Sequence, residues 1–278
     1  MPRPRSLMNA VLVFGDVAVP VKLYSATTSK DVRFKEVHLP DGAKIEHRRF
    51  CSAEDKEVPY DEVAKGYEVA EGRYAVLTKE QLAAALPHSD KTITVDEFVP
   101  GDDIDPVFYD RGYYLGAGDD GETGYRLLHD ALAKTGRVGI ARFVFHDRER
   151  LAALRPQDGV LLLQTLRFAD ELTDPDELRP DEAGRAPTKK EADMARQLIE
   201  SLHVQFDPGD YRDEHREQVM RLIEAKAAGE EIDVPTAEEP EAPDDLAAAL
   251  QASLEAREHG GRRRRGTTPK RKPAKRRS

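Results

Sequence analysis

The residues best suited to chemistry in this chain are the cations of its last 17 positions, Arg262 to Ser278. That stretch has ten lysines and arginines and no acid, and Gly266, Pro269 and Pro273 interrupt it. It has too little apolar surface to bury, so we expect a disordered tail. Its natural counter-ion is a phosphate backbone, because each neutralised phosphate releases a condensed counterion and adds affinity without sequence preference. A generic solubilising or localising tail is the alternative. The predicted DNA-binding cations of the tail are Arg262, Arg263, Arg264, Arg265, Lys270, Arg271, Lys272, Lys275, Arg276 and Arg277.

The remainder of the chain is strongly acidic, and its charge is unevenly distributed. The sequence has 43 basic and 53 acidic residues, of which the first 261 positions hold 33 and 53, a formal charge of −20 against +10 for the tail. Residues 1–60 and 111–168 are each +2, whereas 61–110 carry −8 and 169–261 carry −16. Such a body can hold nucleic acid only if its basic groups gather on one surface. Acid elsewhere would then discourage non-specific binding.

No catalytic or metal-binding pattern accompanies these charges. The chain lacks the G-x-x-x-x-G-K-[ST] loop that cradles phosphates and has no other recognisable active-site motif, so we expect a non-enzyme without a cofactor. Asp102, Asp103 and Asp105 lack the glycine and terminal glutamate of a calcium loop and are interpreted as a solvated acidic turn.

Length and composition set wider limits. A chain of 278 residues holds one large or two ordinary domains. No apolar run approaches the roughly 20 residues that span a bilayer, and Cys51 is the single cysteine, which fits a reducing cytoplasm. We therefore expect a cytoplasmic, nucleoid-associated protein without a membrane contact. Trp is absent and aromatics are few, which argues against a single-strand binder built on stacking platforms.

The first 170 residues have the patterns of short strands separated by turns, which predict a β-barrel or sandwich. In the clearest case Val19, Val21 and Leu23 alternate with more polar positions, and Pro20 predicts an edge position or a bulge because proline lacks an amide donor. The strand candidates are Val11–Phe14, Val17–Tyr24, Val32–His38, Lys44–Phe50, Arg73–Leu77, Thr92–Val99, Val138–Phe145 and Val160–Phe168.

Helical signals interrupt the strands and replace them after about residue 170. Thr78 and Gln81 form a capping box for a helix over Lys79–Leu86, and a helix over Thr123–Thr135 ends before Gly136. Two further helices are predicted, from Thr188 to His203 and over Asp213–Ala228. Met194, Leu198, Ile199 and Leu202 share a face of the first, and Val219, Met220, Ile223 and Ala227 are the apolar positions of the second.

The segment beyond these helices divides into three parts. Residues 230–245 have eight acids, three prolines and no basic residue, which is typical of a linker. Residues 246–261 form a short helix with Leu246, Leu250 and Leu254 on one stripe. Three leucines bury too little to stabilise an isolated helix, so we expect the stripe to dock on a partner. Residues 262–278 are the basic tail.

At this point the sequence resembles the bacterial Ku proteins, the homodimeric DNA-end-binding factors of non-homologous end joining. The resemblance extends from about Leu12 to Gly229 and rests on many motifs in one order. They are Val19–Ala26, Val58-Pro59-Tyr60, Lys65-Gly66-Tyr67-Glu68, Glu97-Phe98-Val99, Ile104-Asp105-Pro106, Tyr113-Tyr114-Leu115, Ile140–Val144, Leu151–Pro156, Leu163–Leu166, Asp174–Leu178 and Leu222–Lys226.

The resemblance implies a mixed α+β fold over residues 1–229. A β-barrel core carries a strand-built bridge that encircles DNA with the bridge of a second copy, and a C-terminal helical arm completes the dimer. It also implies recruitment of the ATP-dependent DNA ligase D, for which Leu246, Leu250 and Leu254 are the expected contact. Many bacterial Ku proteins have a C-x-x-C pair where this chain has Cys51-Ser52-Ala53-Glu54. With the second thiolate absent, we expect no structural metal there.

The resemblance also selects candidate phosphate contacts for the lining of the ring. A ring that slides must contact phosphates and not bases, because phosphate contacts position a protein without specifying sequence. Ordinary ion pairing or packing of the aliphatic stems over the barrel is the alternative for each cation. The candidates are Lys22, Arg48, Arg49, Lys65, Arg142, Arg155 and Arg167.

The sequence therefore predicts a homodimeric ring that binds double-stranded DNA ends. An architectural protein that binds DNA generally through its tail is the alternative from another class. A nuclease is a more distant one, because no carboxylate–metal motif is evident.

Overall fold

The structure is a computed structural model that describes residues 5–85, 91–179, 186–230 and 245–259. The chain divides into two compact units between Glu177 and Leu178. The first contains all of the described strands, and the described residues of the second include three α-helices. No helix of the described residues is long and apolar enough to cross a bilayer.

A closed seven-stranded barrel is the centre of the first unit. Around the barrel the strands run in the order β1, β2, β8, β11, β10, β9, β7, and only the β1–β7 pair is parallel. Of the two architectures that the strand pattern of the sequence allowed, a barrel and a sandwich, the structure therefore has the barrel. The strands are β1 (Met8–Phe14), β2 (Val17–Ser25), β7 (Thr92–Pro100), β8 (Tyr109–Ala117), β9 (Arg137–Val144), β10 (Glu149–Gln157) and β11 (Val160–Leu166).

Pairing of β1 with β7 closes the barrel, and alternate side chains along its strands point into the core. In β2, Val19, Val21 and Leu23 are at most 1% exposed, as their alternation predicts, and Phe143 of β9 is fully buried. Each such side chain contributes roughly 1.5–3 kcal/mol on burial. The prediction of an edge position or a bulge for β2 is wrong, because β2 lies between β1 and β8 and pairs with both without a register shift. Pro20 is accommodated because pairing with β8 begins only at Val21.

Helix α2 (Glu122–Thr135) packs against the barrel through Tyr125, Leu128 and Leu132, which share a face. It ends at Gly136, whose φ of 64° confirms the predicted left-handed cap. The Tyr125 hydroxyl donates to the Leu115 carbonyl and accepts from the Leu161 amide, both at 2.7 Å. These two residues are directly paired between β8 and β11, so one hydroxyl fastens the helix to both strands.

The chain leaves the barrel after β2 and returns at β7, and we call residues 26–91 the excursion. It contains two separate ribbons and a short helix, and almost all of its described side chains are at least partly exposed. The predicted strands Val32–His38 and Lys44–Phe50 are wrong, since only an isolated Val37–Lys44 bridge and Phe50 have strand pairing there. The elements are β3 (Phe50–Cys51), β4 (Lys56–Glu57), β5 (Lys65–Ala70), β6 (Arg73–Leu77) and α1 (Lys79–Ala84).

The second unit contains α3 (Lys189–Leu202), α4 (Glu214–Ala227) and α5 (Leu246–His259). Thr188 and Glu191 form a reciprocal capping box at the start of α3, and Thr78 and Gln81 do the same for α1. α5 packs against α3, while α4 has no buried residue. Leu86, the linker positions 231–244 and residues 260–261 lie outside the described residues.

Candidate nucleic-acid interface

The seven cations predicted to contact phosphate divide into two groups. Arg48, Arg49 and Lys65 belong to the excursion, and Lys22, Arg142, Arg155 and Arg167 belong to the barrel. The barrel cations point outward because their strand neighbours point inward. For example, Arg142 is exposed between Ala141 and Phe143, which are fully buried. The ten tail cations lie outside the described residues.

The strand register places the four barrel cations toward opposite ends. Lys22 pairs with Gly116, and Arg155 pairs with Leu162, so both lie toward the β10–β11 turn. Arg142 pairs with Leu151 near the β9–β10 turn, and Arg167 follows Leu166, the partner of Leu151. The order of residues in the sequence did not separate these two groups of cations, because their separation depends on which strands are neighbours in the barrel.

Three of the barrel cations have a carboxylate close by. Lys22 Nζ lies 2.7 Å from Asp119 Oδ1, Arg142 Nε lies 2.8 Å from Asp96 Oδ2, and Arg167 Nη2 lies 3.6 Å from Asp110 Oδ1. The hydrogen bond from Lys22 lowers the pKa of Asp119, and the same contact raises the pKa of Lys22. The hydrogen bond to Asp96 likewise raises the pKa of Arg142. These pairs hold the cations charged and partly neutralise their field.

Arg155 differs because its partners are neutral. Its Nε and Nη2 donate to Gln164 Oε1 at 3.1 and 2.9 Å, and its Nη1 donates to Gln157 Oε1 at 2.8 Å. Two amides therefore hold the guanidinium in place and leave its full charge available. Among the four barrel cations, Arg155 is the best suited to a phosphate in a fixed position.

The excursion cations have a similar division. Arg48 Nη1 lies 3.2 Å from Glu57 Oε2, so a carboxylate offsets its charge. Arg49 instead lies over the ring of Tyr60, with 5.0 Å between its Cζ and the ring centroid. Lys79 Nζ is 5.6 Å from the same centroid, although the sequence did not indicate Lys79. A tyrosine ring that contacts two cations orients both without neutralising them.

Lys65 lies on an exposed ribbon whose other residues are mostly apolar. It is opposite Leu77 on the β5–β6 ribbon. Successive residues of a strand face opposite sides, which places Tyr67 and Val76 on opposite faces. Both faces therefore expose large apolar side chains. Across the excursion these are Phe34, Val37, Leu39, Ile45, Phe50, Tyr60, Val63, Tyr67, Val69, Tyr74, Val76 and Leu77.

The predicted partner-binding leucines lie on α5. Leu250 and Leu254 are half-buried, and Leu246 is 49% exposed. Since α5 packs against α3, the stripe is already partly covered within the chain. The predicted apolar face of α3 divides accordingly, with Met194 and Leu198 half-buried and Ile199 and Leu202 exposed.

No group of three or more His, Cys, Asp or Glu side chains in the described part of the chain is arranged to hold a metal ion. Cys51 is a partly exposed free thiol. Asp102 and Asp103 belong to a short 3-10 turn. Asp105 accepts from the Val107 amide at 2.9 Å and so caps the following turn.

Comparison with known proteins gives consistent matches over this fold. The family model described as the Ku70/Ku80 beta-barrel domain of Ku matches residues 13–194. The chain is 46% identical to the non-homologous end joining protein Ku of Anaeromyxobacter sp. (strain K), over 92% of this chain and 87% of that protein. It is 37% identical to the protein of that name from Mycobacterium tuberculosis, over 91% and 96%. A longer relative from Frankia casuarinae is 40% identical, over 92% of this chain and 65% of its own.

Proposed function

Because this chain belongs to the Ku family of non-homologous end joining proteins, we propose that two copies form a ring that binds double-stranded DNA ends without reading their sequence. The observation that carries the proposal is the excursion, which leaves a closed barrel and exposes apolar side chains on both faces of a ribbon. Exposed apolar patches of this kind mark interaction surfaces.

A second copy of the chain is the partner that the excursion favours. A twofold dimer presents the same patch on each subunit, so one exposed ribbon covers another. Helix α4 supports the same partner, since it has no buried residue and its Met220 and Ile223 are exposed. In this dimer the two excursions meet around the duplex, and the arms add the remaining contact.

Phosphate contacts are expected to supply the affinity of the ring. Arg155, Arg49 and Lys65 have no ion pair with a described carboxylate, so they are the strongest candidates. Such contacts give affinity that falls steeply with salt and is indifferent to sequence. End preference then arises from topology, because a closed ring can load only where a duplex stops.

Competition between linear and circular DNA tests this function. Full-length protein bound to a labelled blunt duplex is challenged with closed circular plasmid or with the same plasmid linearised, at equal mass. We expect strong competition from the linear form, and from the circular form only the weak competition that the basic tail causes. Equal competition by both forms would favour the general architectural protein, and magnesium-dependent loss of the probe would favour a nuclease.

Light scattering tests the dimer separately. We expect twice the monomer mass at micromolar concentration for the wild type and a shift toward monomer for Val76→Lys on the β5–β6 ribbon. Val17→Lys is the matched control, since Val17 is 40% exposed at the start of a barrel strand. A wild-type protein that stays monomeric at that concentration refutes the ring.

The second part of the proposal is that the chain recruits the ATP-dependent DNA ligase D through Leu246, Leu250 and Leu254. An apolar stripe on a short helix suits a groove on a partner, and Leu246 is the leucine most open to it. Changing all three to Ala should abolish stimulation of the ligase while end binding stays intact. The opposite result, lost end binding with intact stimulation, assigns the helix to DNA.

A further inference from the structure

A small cavity in the first unit is lined by side chains that have no role in the proposed ring. It has a volume of about 220 Å³ and lies where the β9–β10 turn meets the start of β8. Arg111, Arg150 and His146 line it together with Thr165, and Tyr113 and Phe145 form its apolar wall. We call it the turn pocket.

The turn pocket lies at the end of the barrel where the excursion is attached. Ser25, the last residue before the excursion, pairs with Tyr113 of the pocket, and the Ala26 amide donates to the Gly112 carbonyl at 3.1 Å. The excursion returns at β7, where Ile93 pairs with Phe143, two residues before Phe145. Both attachment points therefore adjoin the pocket.

The lining of the turn pocket has two positive charges, from Arg111 and Arg150, and one negative charge, from Asp110. Neither the Arg111 nor the Arg150 side chain makes a hydrogen bond or ion pair with the described residues, although the Arg111 amide donates to Thr165 Oγ1 at 3.0 Å. Asp110 also lines the cavity, but it is shared with Arg167, which lies 3.6 Å away. The Tyr113 and Phe145 rings pack edge to face, 5.6 Å apart, and lower the local polarity of the wall.

His146 is held in the pocket by a strained turn. Phe145 and Arg148 close a two-residue turn with an amide-to-carbonyl bond of 2.9 Å, and His146 and Asp147 have φ of 54° and 58°. That geometry favours Asn-Gly or Asp-Gly, because other side chains are strained at positive φ. The neighbouring β10–β11 turn has such a pair, Asp158-Gly159, with φ of 48° and 81°. A strained residue that lines a cavity points to a function, since strain persists where it serves a site.

We propose that the turn pocket binds one phosphate group through Arg111, Arg150 and His146. Guanidinium groups match phosphate oxygens in pairs, and an imidazole stacked 4.2 Å from the Phe145 ring supplies a further donor. A volume of about 220 Å³ is below the roughly 300–1,000 Å³ of sites for larger ligands, so a phosphate group fits better than a whole nucleotide. The site does not depend on the proposed ring, because the phosphate can come from a duplex or from solution.

Titration of the full-length protein with inorganic phosphate tests the pocket. Arg111→Gln combined with Arg150→Gln should weaken binding at least tenfold and remove the rise in melting temperature that phosphate gives the wild type. Arg148→Gln, on the same turn but outside the lining, should retain both. All three proteins keep the basic tail, so its loose phosphate contacts cancel. A phosphate effect in the wild type no larger than that of chloride at equal ionic strength overturns the proposal, as does undiminished binding by the double variant.

The turn itself provides a second test that does not rely on removing charge. His146→Asn with Asp147→Gly gives the turn its favoured residues, so the melting temperature without phosphate should rise while phosphate affinity falls several-fold. A gain in stability with unchanged affinity overturns the role of His146. Addition of linear duplex identifies the source of the phosphate. Competitive displacement of phosphate assigns the pocket to the DNA backbone, whereas independent binding assigns it to free phosphate.

Discussion

The contrast between Arg155 and Arg142 gives the sharpest test of whether the barrel contacts DNA as we propose. Amide oxygens of Gln157 and Gln164 hold Arg155, whereas Arg142 donates to Asp96 at 2.8 Å. An arginine with a free charge can replace a condensed counterion on the duplex, but one that already has a carboxylate adds little net charge. We therefore expect Arg155→Gln to weaken binding to linear duplex and Arg142→Gln to have a much smaller effect.

The size of the effect follows from counterion release. One phosphate contact contributes about 0.9 to the slope of log affinity against log salt, so loss of Arg155 from both copies of a dimer should flatten the slope by about 1.8. Between 50 and 200 mM salt, the wild type should then lose affinity about 12-fold more than the variant does. The change should barely affect folding, because Gln157 and Gln164 are not fully buried and can bond water instead.

Fluorescence anisotropy of a short blunt duplex across a salt series measures both slopes. Arg142→Gln is the matched control, since it removes the same group from a neighbouring strand of the same barrel. Equal flattening by the two variants would falsify the idea that nearby carboxylates decide which cations bind. An unchanged slope for Arg155→Gln would place the barrel face that carries it away from the duplex.

Three further predictions concern the barrel and the tail. Tyr125→Phe leaves a buried carbonyl and a buried amide without their partner, so denaturant unfolding should show a loss of about 2–4 kcal/mol. Burial raises the pKa of Tyr125 above the value of about 10 that it has in the unfolded chain. The stability that Tyr125 contributes is therefore fully present below about pH 10 and declines as the pH rises further, and the Phe variant lacks this decline. Gly121→Ala should cost about 1–3 kcal/mol, because its Cβ would lie 2.4 Å from the Pro20 carbonyl oxygen, whereas Gly112→Ala meets only ordinary contacts at 3.5 Å. Deleting 262–278 should flatten the salt slope by up to about 0.9 for each lost phosphate contact and reduce circular-DNA binding most, while the preference for ends survives.

The sequence predicted five of the seven barrel strands but missed β8 and β10, and it predicted two strands in the excursion that do not form. The apolar run of β11 is buried at three consecutive positions, Leu161 to Leu163. Alternation predicted β2, because the barrel core selects every second residue there. It gave no strand over Tyr109–Ala117, where Asp110, Arg111 and two glycines obscure the pattern. Val32–His38 has the composition of a strand, but among the described residues its only strand pairing is the isolated Val37–Lys44 bridge. A pattern of single residues does not reveal whether the neighbour that completes a strand belongs to the same molecule.

The sequence predicted which cations could contact phosphate but not which of them are best placed to do so. Family motifs selected seven cations, and the structure separates them by what stands beside each one. Asp96 and Asp119 are distant in sequence from Arg142 and Lys22, so only the folded barrel brings each pair together. Arg155, by contrast, lies where its strand neighbours are glutamines. In a chain with ten more acids than bases, a DNA-binding surface therefore depends less on where arginine occurs than on where carboxylates are absent. Introducing an acid beside Arg155, as in Gln164→Glu, should then weaken duplex binding nearly as much as removing the arginine. A Gln-to-Glu change at an exposed position far from every cation should leave duplex binding nearly unchanged.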